Sequence, residues 1–293
     1  MRSGFSFVSF KSPTRSVSRN DKNRSCAWRN DSLNKTVPDY PSNPPTGNDP
    51  WVRPELIVPW RRIIEVVAVM LGVGIIFGAF YSTRHASGEF YQRFNDYFLV
   101  KNGALECAFL APFLLFLHRS GWKSSDFRIR IGWWTSLSAI GLFFVTSFGV
   151  YLVNRSTLSL ASIFHATTFG RWIDLFVPAH FDVAPGSIHL HWATIIGATL
   201  LNAFYEELVY MGYVFNQLAA KYGAQKAVLL TAFLRLVVHT YQGTEHLLPI
   251  ALWSLIFGLW YRYQRKLWPL ILAHFLIDLL SLGLFKIMYG ASS

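Results

Sequence analysis

The stretch "WWTSLSAIGLFFVTSFGVYLV", Trp133 to Val153, contains no charged side chain. A helix of about 20 apolar residues is what a hydrocarbon layer about 30 Å thick requires. Inside that layer a chain must satisfy its own backbone, which helices do within a single segment. Comparable apolar spans recur from Trp60 to Tyr81, Tyr97 to Leu117, Ile188 to Phe215, Ala227 to Tyr241, Leu247 to Tyr261 and Leu267 to Met288, separated by short polar breaks. The pattern predicts an all-α, polytopic integral membrane protein with about seven transmembrane helices. The spans at Ala227 and Leu247 are shorter than the usual length. The mixed, proline-bearing stretch at 161–183 reads as a surface-lying loop or helix.

Composition agrees, with 52% apolar residues against 15% charged, outside the range of ordinary soluble domains. The net charge of +11 would point to nucleic acid in a soluble chain. Here, 11 Lys or Arg and 5 Asp or Glu fall within residues 1–62, up to the start of the first span, so a solvated tail beside anionic membrane lipids is the reading and no nucleic-acid partner is expected. Residues 1–55, rich in Ser, Asn, Arg and Pro, are expected to be disordered. The first 20 residues hold Arg and Ser but no acid, as an organellar transit peptide does, although a basic cytoplasmic tail needs fewer assumptions. Cys26 and Cys107 fit neither a disulfide framework nor a metal spacing.

Basic clusters at Arg53 to Arg62, Arg119 to Arg130, Lys221 to Lys226 and Arg262 to Lys266 fall on one side of the expected spans. The positive-inside rule makes that side cytoplasmic, with the amino terminus in and the carboxyl terminus out, and a cell membrane is the expected location unless a transit peptide directs the chain to an organelle. Residues 56–187 then carry the N-terminal helices, and 188–289 form the core that holds the chemistry.

Into that core the chain puts ionisable groups. "NAFYEELVYMGY" places Glu206 and Glu207 side by side, about 24 Å before the helix end expected at Tyr222 and Gly223. Such groups are costly at bilayer depth and need a function or a partner. Adjacent helical residues point about 100° apart, so one carboxylate can face a pocket while the other braces it. Arg235 and His239 stand four apart in the next span, and His274 and Asp278 four apart in the last, each pair on one helix face. Singly, each has a structural reading, such as a pairing of Asp278 with Lys286. Together they read as one polar site.

A carboxylate and an imidazole can hold and deprotonate a water, and a second imidazole can stabilise the oxyanion that follows. HExxH and GxSxG are absent from the sequence, and Asp278 is the only aspartate well inside an expected span, which disfavours zinc-helix, serine and aspartyl mechanisms. Two histidines and two glutamates on different helices still offer ligands to a divalent metal such as zinc, which spacing does not test.

"EELVYMGY", "RLVVHTYQG" and "GLWYRYQRKLWPLILAHFLID", in this order, resemble the CPBP family of intramembrane proteases, named for CAAX proteases and bacteriocin-processing enzymes. The resemblance spans about Ile188 to Leu284. It implies Glu206 as the base that activates water, Glu207 as its partner, His239 as the second group holding the water, and His274 with Asp278 as stabilisers of the oxyanion. It also implies a substrate that is a membrane-associated or lipidated peptide or protein. The family's EExxxR pattern has Met211 here in place of arginine. Arg235, one turn before His239, is the expected substitute cation for Glu207. The alternatives are a catalytically silent scaffold or immunity-type relative, for which Met211 is the argument, and a proton-coupled transporter.

Overall fold

A computed structural model of the chain describes residues 52–82, 95–164, 166–174 and 188–290, all within the unit Asn43–Ser293. The expected tail up to residue 51, and 175–183 of the expected surface-lying stretch, lie outside the described residues. The architecture is all-helical: α1 (Trp60–Ser82), α2 (Asp96–Arg119), α3 (Trp133–Phe164), a short α4 (Thr168–Asp174), α5 (Trp192–Glu207), α6 (Asn216–Tyr222), α7 (Ala224–Val238), α8 (Leu247–Gln264) and α9 (Trp268–Tyr289).

Local chemistry sets these boundaries. Asn95 starts α2 by accepting from the Phe98 N–H at 2.9 Å, with Asp96 beside the positive helix end. Gly223, at φ +83°, ends α6 where the sequence places a stop. Arg265 ends α8 in a left-handed conformation that disfavours most side chains. It is held there by a 2.9 Å hydrogen bond from its guanidinium to Asn216 Oδ1 and by the Phe215 ring.

Among the described residues, α2, α3 and α9 are long and apolar enough to cross a membrane, against the seven spans expected. α1, with 23 residues, opens with Arg61, Arg62 and Glu65 and continues as an apolar run, whereas α7 with 15 residues is only about 22 Å long. α3 runs on to Phe164, taking in the start of the stretch expected to lie on the surface. Val52 is already buried in the core, ahead of the boundary drawn at 55. Gln217 fastens this entry segment, accepting from the Val58 N–H at 3.0 Å and donating to the Leu56 carbonyl at 2.7 Å.

Between α5 and α6 the chain stays helical but widens into a π-helix, Leu208–Phe215, every residue of which is buried. Tyr213 lies among Phe113, Phe116 and Trp122, with ring centroids 5.7 to 5.9 Å away. Phe127 passes so close to Gly212 that an added Cβ would lie 3.1 Å from its ring. In a lipid surrounding, close packing of this kind, rather than transfer from water, holds helices together. The α5 to α6 run is thereby the central rod of the bundle: α2 and α9 pack on α5, α9 also packs on α3, and α7 packs on α8.

Candidate active site

The π-helix begins one residue after Glu207, and π-helical turns frequently mark functional positions. The two glutamates, side by side in sequence, have different surroundings. Glu207 is fully buried, and its Oε1 accepts from Arg235 Nη2 at 2.7 Å and from His274 Nδ1 at 2.9 Å. Side chains from α5, α7 and α9 therefore meet at one oxygen. The Arg235 guanidinium is sandwiched between the rings of Tyr210 and Trp253, 4.6 and 4.7 Å from their centroids. A planar cation between two aromatic faces is held by charge and by packing together.

Glu206 borders a cavity of about 560 Å³, into which His239, His274 and Asp278 also open. His239 lies on the 3-10 turn His239–Gln242 that closes α7. Its Nδ1 lies 2.8 Å from the Arg235 carbonyl, which can only accept, so Nδ1 carries the hydrogen. In the neutral ring Nε2 is then the acceptor, and it faces Glu206 Oε1 at 3.6 Å. That separation is too long for a direct hydrogen bond. The second oxygen of Glu206 is buried and has no partner among the described residues.

His274 has a carboxylate oxygen at each ring nitrogen, with Nδ1 on Glu207 and Nε2 at 3.4 Å from Asp278 Oδ2. Asn202, one helical turn before Glu206, donates to the same Asp278 oxygen at 3.1 Å. Lys286 does not pair with Asp278, because its ammonium reaches the Leu190 carbonyl at 2.6 Å. The Trp253 ring packs edge-on against both imidazoles, 4.6 Å from His274 and 6.3 Å from His239.

All six residues singled out in the sequence are thus gathered in one place, with Glu206, His239, His274 and Asp278 at the cavity and Glu207 and Arg235 behind it. The sequence reading missed Asn202, Trp253 and Glu106 of α2, which also line the cavity. For Glu106 the signal was present, since a glutamate in the expected span Tyr97 to Leu117 incurs the same cost that drew attention to Glu206. Among the described residues no group of three or more His, Cys, Asp or Glu side chains is arranged to hold a metal ion.

Residues 188–280 match the family model described as type II CAAX prenyl endopeptidase, Rce1-like, and the match contains all six of these positions. A search of curated proteins and of solved structures gave no match. The matched family is one of peptide-bond hydrolases, and among the described residues α2, α3 and α9 are long and apolar enough to cross a membrane.

Proposed function

We propose, from the premise that residues 188–280 form a domain of the type II CAAX prenyl endopeptidase family, that the chain is an intramembrane endopeptidase. In this reading Glu206 and His239 activate the attacking water. The observation that carries it is the pairing of Glu206 Oε1 with His239 Nε2 at 3.6 Å on the cavity wall. Two acceptors at that distance both lie within hydrogen-bonding reach of one water, which donates a proton to each and turns a lone pair outward.

The water oxygen attacks the scissile carbonyl carbon as its proton moves to Glu206. The charge that develops on the carbonyl oxygen is met by the Nε2–H of His274, whose contact with Asp278 is long enough to yield to a stronger acceptor. Asp278, held by Asn202, keeps the His274 ring in place. Glu207 fixes the other face of that ring, and Arg235 balances the charge of Glu207. The substrate class is the family's own, a prenylated protein presented at the membrane, cut near its modified end.

A catalytically silent relative is the second reading. It rests on Met211, a fully buried apolar residue where the related pattern has a cation.

Both readings are tested by assaying the purified full chain in liposomes with fluorogenic peptides, prenylated and unmodified, beside Glu206→Gln and His239→Ala and with a chelator. Turnover by the wild type that both substitutions abolish supports the protease. Turnover that survives both overturns the water assignment, and sensitivity to the chelator returns a metal to the mechanism. An inert wild type across this substrate set favours the silent relative.

A further inference from the structure

Hydrolysis of a peptide bond needs two proton movements, one away from the attacking water and one onto the departing nitrogen. Glu206 accounts for the first. Facing the same cavity is a titratable group with no part in that scheme, Glu106, near the middle of α2 and outside the matched residues. At helical spacing it shares a face with Leu99, Asn102 and Gly103, all of which line the cavity. Its Oε2 is buried and meets no donor among the described residues. Glu206, Asp278 and His274 lie within range of its charge.

A second unpartnered polar group lies on the neighbouring wall of the cavity. Thr146 of α3 is 1% exposed, lines the same cavity, and has a hydroxyl without a partner among the described residues. Thr199, which lines the cavity from α5, instead returns its hydroxyl to the Ile195 carbonyl. The walls supplied by α2 and α3 therefore present polar groups whose partners are not in the fold.

An ionised Glu106 beside two other carboxylates, with His274 already held between Glu207 and Asp278, is the costliest form this side chain can take. The neutral acid avoids that cost and carries an O–H, which is what a departing amine needs. We propose that Glu106 is the catalytic acid of the endopeptidase reading above, on which this inference rests. The water oxygen bonds to the carbonyl carbon, one water proton moves to Glu206, and the other stays on the new carboxyl group. The C–N bond then breaks with its electron pair remaining on nitrogen, and the Glu106 proton passes to that nitrogen. One proton returned from Glu206 to Glu106 across the cavity restores both residues.

The test compares a peptide substrate with its thioester counterpart at the scissile bond, using the full chain in liposomes. A thiolate leaves without a proton near neutral pH, its acid form having a pKa of about 8.5. Glu106→Gln is expected to lower kcat on the amide by about 10²- to 10⁴-fold, while thioester turnover stays within about threefold of wild type. Glu106→Asp, which keeps an acid, is expected to retain at least about tenfold more amide turnover than the Gln variant. Glu206→Gln is expected to silence both substrates, because both need the activated water. Equal losses on amide and thioester in the Gln and Asp variants would mark a packing residue and overturn the assignment. So would an unchanged amide rate in Glu106→Gln. A wild type inert to both substrates would instead overturn the endopeptidase reading, and the role of Glu106 with it.

Discussion

Arg235 donates to Glu207 across 2.7 Å where neither side chain has any exposed surface. The pair links α7 to the last residue of α5, one position before the π-helix, and the same Glu207 oxygen also holds His274. A buried ion pair adds little stability compared with an apolar pair of the same volume, but removing one partner strands the other. Glu207 and Arg235 are therefore a fixed unit behind the cavity rather than a participant at its surface.

Arg235→Met should accordingly cost about 3–5 kcal/mol, the range for breaking a buried pair. A large drop in the thermal unfolding midpoint in detergent, with loss of turnover, is the expected result. A variant that unfolds and turns over like the wild type would remove Arg235 from the site.

Neutralising the two adjacent glutamates should have opposite effects. Glu207→Gln leaves the Arg235 guanidinium buried without its counter-charge and is expected to destabilise by about 3–5 kcal/mol. Glu206 has an oxygen with no partner among the described residues, so Glu206→Gln removes an uncompensated charge and should leave the unfolding midpoint unchanged or higher while abolishing turnover. Parallel unfolding and peptide-cleavage assays on the two variants check this. Equal destabilisation would mean that Glu206 is also structural.

Much of this arrangement follows from helical geometry. The 100° step between neighbours separates the environments of Glu206 and Glu207, and the four-residue spacing puts His239 Nδ1 on the Arg235 carbonyl. What distance along the chain does not specify is which helices meet. Glu106 comes from α2, and no spacing rule connects it with Glu206, a hundred residues on. The π-helix is equally silent in "LVYMGYVF", which reads as an ordinary apolar run, and the close passage of Phe127 over Gly212 becomes visible only in three dimensions. Asn202 carries no charge and so gave no desolvation signal, yet its amide holds Asp278.

A different pair fixes the entry segment. The Arg53 guanidinium donates to both Asp126 carboxylate oxygens, at 3.1 and 2.7 Å, and Asp126 also accepts from the Lys123 N–H. Partial burial pushes the Asp126 carboxyl up, but the hydrogen bonds from Arg53 and Lys123 outweigh it and hold it below the ordinary carboxylate range. A carboxyl lowered by folding contributes stability that is complete above its unfolded value, about 4, and is lost as pH falls through the folded value. The unfolding midpoint should therefore fall with pH below about 4, and Asp126→Asn should flatten that slope and lower the plateau at neutral pH. A slope unaffected by the substitution would assign the acid sensitivity to other groups.

The strictest test of the cation behind the cavity is to move it. Position 211 lies four residues after Glu207 in the π-helix, fully buried, and its side chain is methionine. Met211→Arg alone brings a second guanidinium to a carboxylate that Arg235 already neutralises, so one buried charge is left over and a loss of stability is expected. In the Arg235→Met background the same substitution meets a Glu207 without its cation and a space vacated by the lost side chain, so the double variant should be more stable than either single one. Additive losses would give the opposite order, and residues sharing one charged partner are where additivity fails, typically by 0.5 to ~3 kcal/mol. Unfolding midpoints of the two single variants and the double variant decide it, with cleavage by the double variant as the second readout. Recovery of stability and turnover would show that the site needs a guanidinium at Glu207 from either helix. Simple additivity would show that Arg235 acts through its packing between Tyr210 and Trp253.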